Sequence, residues 1–276
     1  MDTLKHLHQL PQGLLQLRQG LEIERNANTV RVVLKRQDDL NRITDEMLDE
    51  LQNLCELLHS DEQASVMTIT GEGGEYFSTG LLNPALRAKL SKDQVLALVW
   101  KANRVFDAIE ALPQLVIAAI NGKAIAGGVE LALACDIRYA SSVASVRLPE
   151  AGWGGFPGAG APVRLPELVG KANALDLICS GQETNAQELL RIGLVQRVIP
   201  NEQFDGTTRD IVAQIGKAGP MAVRGAKKVA ATRLEPGFTA ARRLSDALRQ
   251  ALEWSEDVDE GMRAVKEKRQ PQFKGR

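Results

Sequence analysis

Two glutamates, Glu130 and Glu150, stand twenty positions apart, each beside glycine-rich sequence. Glu130 follows Gly127-Gly128 in AIAGGVEL, and Glu150 closes the run SVRLPE ahead of the turn GGFPGAG. Carboxyl groups carry protons in general acid–base catalysis, and glycines leave backbone N–H groups open to a polarised carbonyl. The pattern suits chemistry in which protons move beside a developing oxyanion. Each acid also has a plainer reading. Glu130 would complement the dipole of a helix first turn, and Glu150 would be a strand-end acid turned off a sheet by Pro149.

Other chemistries find less support. The three cysteines, Cys55, Cys135 and Cys179, are widely spaced in apolar, helix-like contexts, which fits a reducing compartment rather than a disulfide framework. The histidines, His6, His8 and His59, lack a ligand-like partner motif, so no metal is expected. GFPGAG lacks the Gly-Lys-Ser/Thr of a phosphate-binding loop. A net charge of −1, with 25% charged and 44% hydrophobic residues, points neither to nucleic acid nor to a membrane surface. No apolar run approaches the roughly 18 residues of a membrane span. The leucine-rich first twenty residues lack an apolar h-region and a small-residue cleavage site. They are expected to be a short amphipathic extension on a cytoplasmic protein.

The elements that must position the acids follow from periodicity. Residues 21–36 alternate around Asn26-Ala27-Asn28 as a β-hairpin. Thr44 caps a helix whose apolar face is Met47, Leu48, Leu51, Leu54, Leu57 and Leu58. SVMTIT (65–70), LVIAAI (115–120) and LVQRVI (194–199) read as strands, and residues 95–112 as a helix stopped by Pro113. KANALDLICSG is a helix ended by Gly181, and TNAQELLRIG is capped by Thr184 or Asn185. The rhythm is strand–turn–helix to about residue 200, then helical and amphipathic. The expected organisation is an extension (1–20), an α/β core (21–200) and a helical region (201–276).

The pieces FSTGLL, NGKAIAGGVELALACDIRYAS, LPE, FPGAGAPVRLPELVG, NAQELLRIGLVQRVIP and EGMRAVKEKRQPQF resemble, in order and spacing, the crotonase superfamily. They are most similar to its enoyl-CoA hydratase/isomerase members, from about residue 20 onward. The resemblance implies a spiral of ββα units and a C-terminal helical region that builds a homotrimer or a dimer of trimers. It implies a coenzyme A thioester as substrate, with no separate cofactor. By motif position, the N–H groups of Leu81 and Gly127 would form an oxyanion hole. Glu130 would be the base on the attacking water, and Glu150 the acid that protonates the α-carbon. Thr79, Gly80, Gly128, Trp153, Pro157, Gly158 and Lys274 fall where substrate contacts are expected.

The chain also departs from the family pattern. Leu81 and Leu82 stand where alanine and aspartate are usual, and Asn83-Pro84 interrupts a stretch that often carries a lysine near the coenzyme A phosphates. Arg87 or Lys89 would compensate. Trp153 replaces a common aliphatic residue and would wall the acyl pocket, in favour of flat or cyclic groups. Three functions are consistent with these features. They are hydration of a 2-enoyl-CoA by both glutamates, double-bond isomerisation by Glu150, and a non-catalytic acyl-CoA-binding or scaffold role.

Overall fold

A computed structural model describes residues 12–17, 20–234 and 238–272. Its described strands are β1 (Gly13–Leu17), β2 (Leu21–Asn26), β3 (Thr29–Leu34), β4 (Val66–Gly71), β5 (Tyr76–Ser78), β6 (Leu115–Ile120), β7 (Lys123–Ile125), β8 (Ile137–Ser141), β9 (Ser145–Arg147), β10 (Thr184–Asn185) and β11 (Arg197–Ile199). The helices are α1 (Asp45–Ser60), α2 (Pro84–Arg87), α3 (Lys92–Glu110), α4 (Gly127–Leu133), α5 (Ala161–Ser180), α6 (Ala186–Arg191), α7 (Phe204–Gly216), α8 (Pro220–Leu234), α9 (Phe238–Glu253) and α10 (Glu256–Glu267).

The strands sort into two sheets, ordered β1-β2-β3-β4-β6-β8-β11 and β10-β9-β7-β5. Each successive turn places one strand in the large sheet, the next in the small sheet, and then a helix. The turns run β4-β5-α3, β6-β7-α4 and β8-β9-α5. This is the α/β spiral of ββα units. Parallel pairing of β4 with β6 and β6 with β8 carries the spiral forward. Strands buried on both faces read as apolar runs rather than as alternation, as in VMTITG and LVIAAI.

Helix boundaries follow side-chain chemistry. The Met47 N–H donates to the Thr44 hydroxyl at the start of α1, and the Glu188 N–H donates to the Asn185 side chain at the start of α6. Helix α3 opens with a reciprocal capping box between Ser91 and Gln94, three residues ahead of the expected apolar start. Gly181 ends α5 in the left-handed conformation. Residues 13–17, within the stretch read as an extension, pair antiparallel with β2 as an edge strand. The core fills the space between the two sheets and α1, α3 and α5, with Phe77, Phe106, Leu48 and Leu131 fully buried. Among the described residues, no helix is long and apolar enough to cross a membrane.

Candidate active site

Glu130 lies in the first turn of α4, held there by its N–H donating to the Ala126 carbonyl. Ala126 has φ 52 and ψ −125, a conformation that costs an alanine on the order of 1–3 kcal/mol and concentrates at functional sites. It turns the chain out of β7 so that Gly127 opens the helix. Gly80 (φ 80) closes against this point, since a Cβ there would lie 2.5 Å from the Gly127 nitrogen and 2.8 Å from its Cα. A Cβ built on Gly127 would lie 3.2 Å from the Leu81 nitrogen. Two glycines therefore bring the Leu81 and Gly127 N–H groups together at a helix N-terminus. Among the described residues, no acceptor takes either one.

Both glutamates line one cleft of about 700 Å³, counting its open mouth, together with Leu81, Gly127, Trp153 and Gly158. Glu130 is 3% exposed, and its Oε1 accepts from the N–H groups of Ala159 (2.7 Å) and Ala161 (3.0 Å). These donors belong to the glycine-rich turn that enters α5. The turn is held in place from behind. Asn103 on α3 donates to the Gly158 carbonyl, and the Arg242 guanidinium on α9 donates to the Asn103 side chain. Arg164, 3% exposed, is paired with Asp107 and Glu110.

Burial raises the pKa of Glu130, opposed by the N–H groups of Ala161 and Ala159 and by the charges of Arg164 and Arg242. Glu150 lies in a 3₁₀ turn, Glu150–Trp153, where only its own backbone N–H and the charge of Arg249 oppose the rise of its pKa. Its Oε2 is enclosed without a hydrogen-bond partner among the described residues. Burial first, and then the charge of Glu130, push its pKa up to about 8. The two carboxyl groups thus sit in unequal surroundings: N–H donors and arginine charges oppose the rise at Glu130, while the charge of Glu130 adds to the rise at Glu150. One cleft holds two carboxyl groups in unequal surroundings and two open N–H groups, an arrangement suited to moving a proton beside a carbonyl.

Other sequence-derived candidates have different placements. The Thr79 hydroxyl turns to the Leu40 carbonyl, away from the cleft lining. Gly80, Gly128 and Pro157 are buried and not among the lining residues, and the two glycines allow close backbone approach. Lys274 lies outside the described residues. Arg87 pairs with Glu253 in the cleft wall. Sequence reasoning missed Arg249, Glu253, Val258 and Met262, which α9 and α10 bring over the cleft. Arg249 and Glu253 are spaced i, i+4, the signature of a solvated helix face. A clearer signal was Gly261, where a Cβ would lie 2.0 Å from the Trp153 carbonyl oxygen, so α10 must sit directly on the Glu150 turn.

The family model for enoyl-CoA hydratase/isomerase matches residues 24–276. YngF of Bacillus subtilis is 36% identical over 251 residues, covering 91% of this chain and 96% of YngF. The crotonyl-CoA hydratase of Syntrophomonas wolfei is 32% identical over 256 residues, with 92% and 98% covered. A 1.8 Å crystal structure of an enoyl-CoA hydratase from Bacillus anthracis superposes with a TM-score of 0.76 at 34% identity, covering 94% of this chain and all of that one.

Proposed function

The chain belongs to the enoyl-CoA hydratase/isomerase family, and on that premise we propose that it adds water across the 2,3 double bond of an enoyl-CoA thioester. The observation that carries this reading is the unequal pair of carboxyl groups. Glu130 is clamped by two N–H donors, and Glu150 is driven towards its protonated form with a free oxygen in the same cleft.

In this reading the thioester oxygen accepts from the Leu81 and Gly127 N–H groups. Glu130, with Oε1 engaged, uses Oε2 to take a proton from water as the water oxygen bonds to C3. The π electrons move towards the carbonyl, and the two N–H groups stabilise the enolate. Losing one such donor typically costs about 3 kcal/mol in the barrier. Glu150 then delivers its proton to C2, and the proton gained by Glu130 restores the starting state through exchange. Leu81 can substitute for a smaller residue because only its N–H is used. Self-association through α8 completes the proposal, since Met221 and Val229 there are 88% and 71% exposed. Light scattering of the purified protein reads the assembly state.

Isomerisation remains the competing reading because Glu150 alone can deliver and withdraw one proton. Glu130→Gln separates the two. Hydration should fall by about 10³-fold or more, judged by incorporation of labelled water. A variant that hydrates normally contradicts the two-carboxylate reading, and one that shifts double bonds at the native rate supports the isomerase. A scaffold would show neither reaction in the native protein.

A further inference from the structure

The wall of the cleft contributed by α9 carries charge that the hydration chemistry does not use. Glu253 is fully buried, and both of its oxygens are occupied, one by Arg87 from α2 and the other by Arg249. Two guanidinium groups thus share one carboxylate in this part of the cleft wall. Arg249 spends only one Nη on Glu253. Among the described residues, no acceptor takes its Nε or its other Nη, although the side chain is only 11% exposed. Those donors are left for water or for a ligand in the cleft that Arg249 lines.

The location ties this cation to the acyl end of the site. A Cβ on Gly158 would lie 2.9 Å from both Cδ and Nε of Arg249, so Arg249 packs on the turn whose next residue clamps Glu130. The same guanidinium is close enough to Glu150 to oppose the rise of its pKa. Arg249 lines the same cleft as the two glutamates, together with Trp153, Val258 and Met262. An aliphatic acyl end would be served by an apolar wall. A guanidinium fork with free N–H groups instead matches a carboxylate, which accepts two parallel hydrogen bonds from it.

We propose that Arg249, backed by Glu253 and Arg87, is a subsite for a carboxylate at the far end of the acyl group. The substrate is then a 2-enoyl-CoA whose chain ends in a second carboxyl group. This rests on the hydratase reading above.

The test uses the full chain and matched pairs of 2-enoyl-CoA esters of equal length, one ending in methyl and the other in carboxylate. The native protein should favour the carboxylate member by about tenfold or more in kcat/KM at one chain length at least. In Arg249→Gln, which leaves Glu253 paired with Arg87, that preference should collapse about tenfold; it is read as the ratio of kcat/KM between the two members of a pair, so that any effect of the substitution on Glu150 cancels. Arg249→Lys should restore part of it. A native preference for methyl at every length, or a preference unchanged in Arg249→Gln, overturns the subsite. The native comparison decides alone if the variant does not fold. Failure of both series to take up water would instead defeat the hydratase reading. Competitive binding of saturated acyl-CoA esters with and without the terminal carboxylate then decides the subsite by itself. Equal affinity for the two refutes it.

Discussion

Replacing Gly127 with alanine separates catalysis from folding at a single methyl group. Gly127 opens α4 without a positive φ, so an L-residue fits its backbone. Alanine is favoured over glycine within helices by about 1 kcal/mol. The added Cβ would lie 3.2 Å from Leu81 Cγ, 3.2 Å from the Leu81 nitrogen and 3.4 Å from Gly80 Cα. The first neighbour is a flexible side chain that can yield by a few tenths of an ångström. Opposing terms leave stability within about 1 kcal/mol of the native protein. The methyl group nonetheless occupies the space before the Leu81 N–H, where a carbonyl oxygen would sit at about 2.9 Å. Excluding that oxygen forfeits one donor, which costs about 10²–10³ in kcat, or about 3–4 kcal/mol. Urea denaturation measures the first effect, and steady-state hydration of an enoyl-CoA measures the second. A folded Gly127→Ala protein with kcat within about threefold of native would refute the assignment of Leu81 and Gly127 as a donor pair. Gly128→Ala is the contrasting control. Its Cβ would meet the Ser78 carbonyl oxygen at 2.2 Å, backbone against backbone, so it should disrupt folding outright.

Two further perturbations probe the charges. Glu150 binds its proton more tightly folded, with a pKa near 8, than unfolded, near 4.5. The folded state therefore holds the extra proton between these values, and stability should fall as pH rises through that window, by up to a few kcal/mol. Glu150→Gln should lack that slope, and a parallel decline in both proteins would show that Glu150 is not its source. Activity should also drop on the alkaline side near pH 8, as the proton donor ionises. Away from the cleft, Arg25 and Asp61 form an ion pair with side chains 1% and 0% exposed. Arg25→Met should cost about 3–5 kcal/mol by removing the Arg25 guanidinium from the buried Asp61 carboxylate. Kinetics per folded molecule should stay native, and a large change in KM would mean that the pair communicates with the cleft.

Much of the fold was legible because its determinants are local. Thr44, Asn185 and Gly181 end helices through hydrogen bonds or backbone conformations set within a few residues. The apolar runs of β4 and β6 announce strands buried on both faces. The edge strand Gly13–Leu17 was harder to see, since GLLQL takes its conformation from pairing with β2 and shows no alternation of its own. For α3, attention to apolar spacing overlooked the capping box at Ser91 and Gln94, which sits one turn outside the apolar face.

The amino-acid order by itself determined the alternation of strands and helices to about residue 200, the glycine pair before Glu130 and the acid at the end of LPE, and the spiral of ββα units followed from the family resemblance. These depend on short-range periodicity and on motif spacing. Tertiary structure decided the rest. It brought the Leu81 N–H beside Gly127 and placed the N–H groups of Ala159 and Ala161 on Glu130. It left Oε2 of Glu150 enclosed without a hydrogen-bond partner among the described residues, and burial raises that group's pKa. It also laid α9 over the cleft, so that an Arg249–Glu253 pair with the spacing of a solvated face became a buried wall. A carboxyl group's proton affinity and an arginine's free donors are properties of the surrounding dielectric and partners. Those arise only when residues distant in sequence exclude water together.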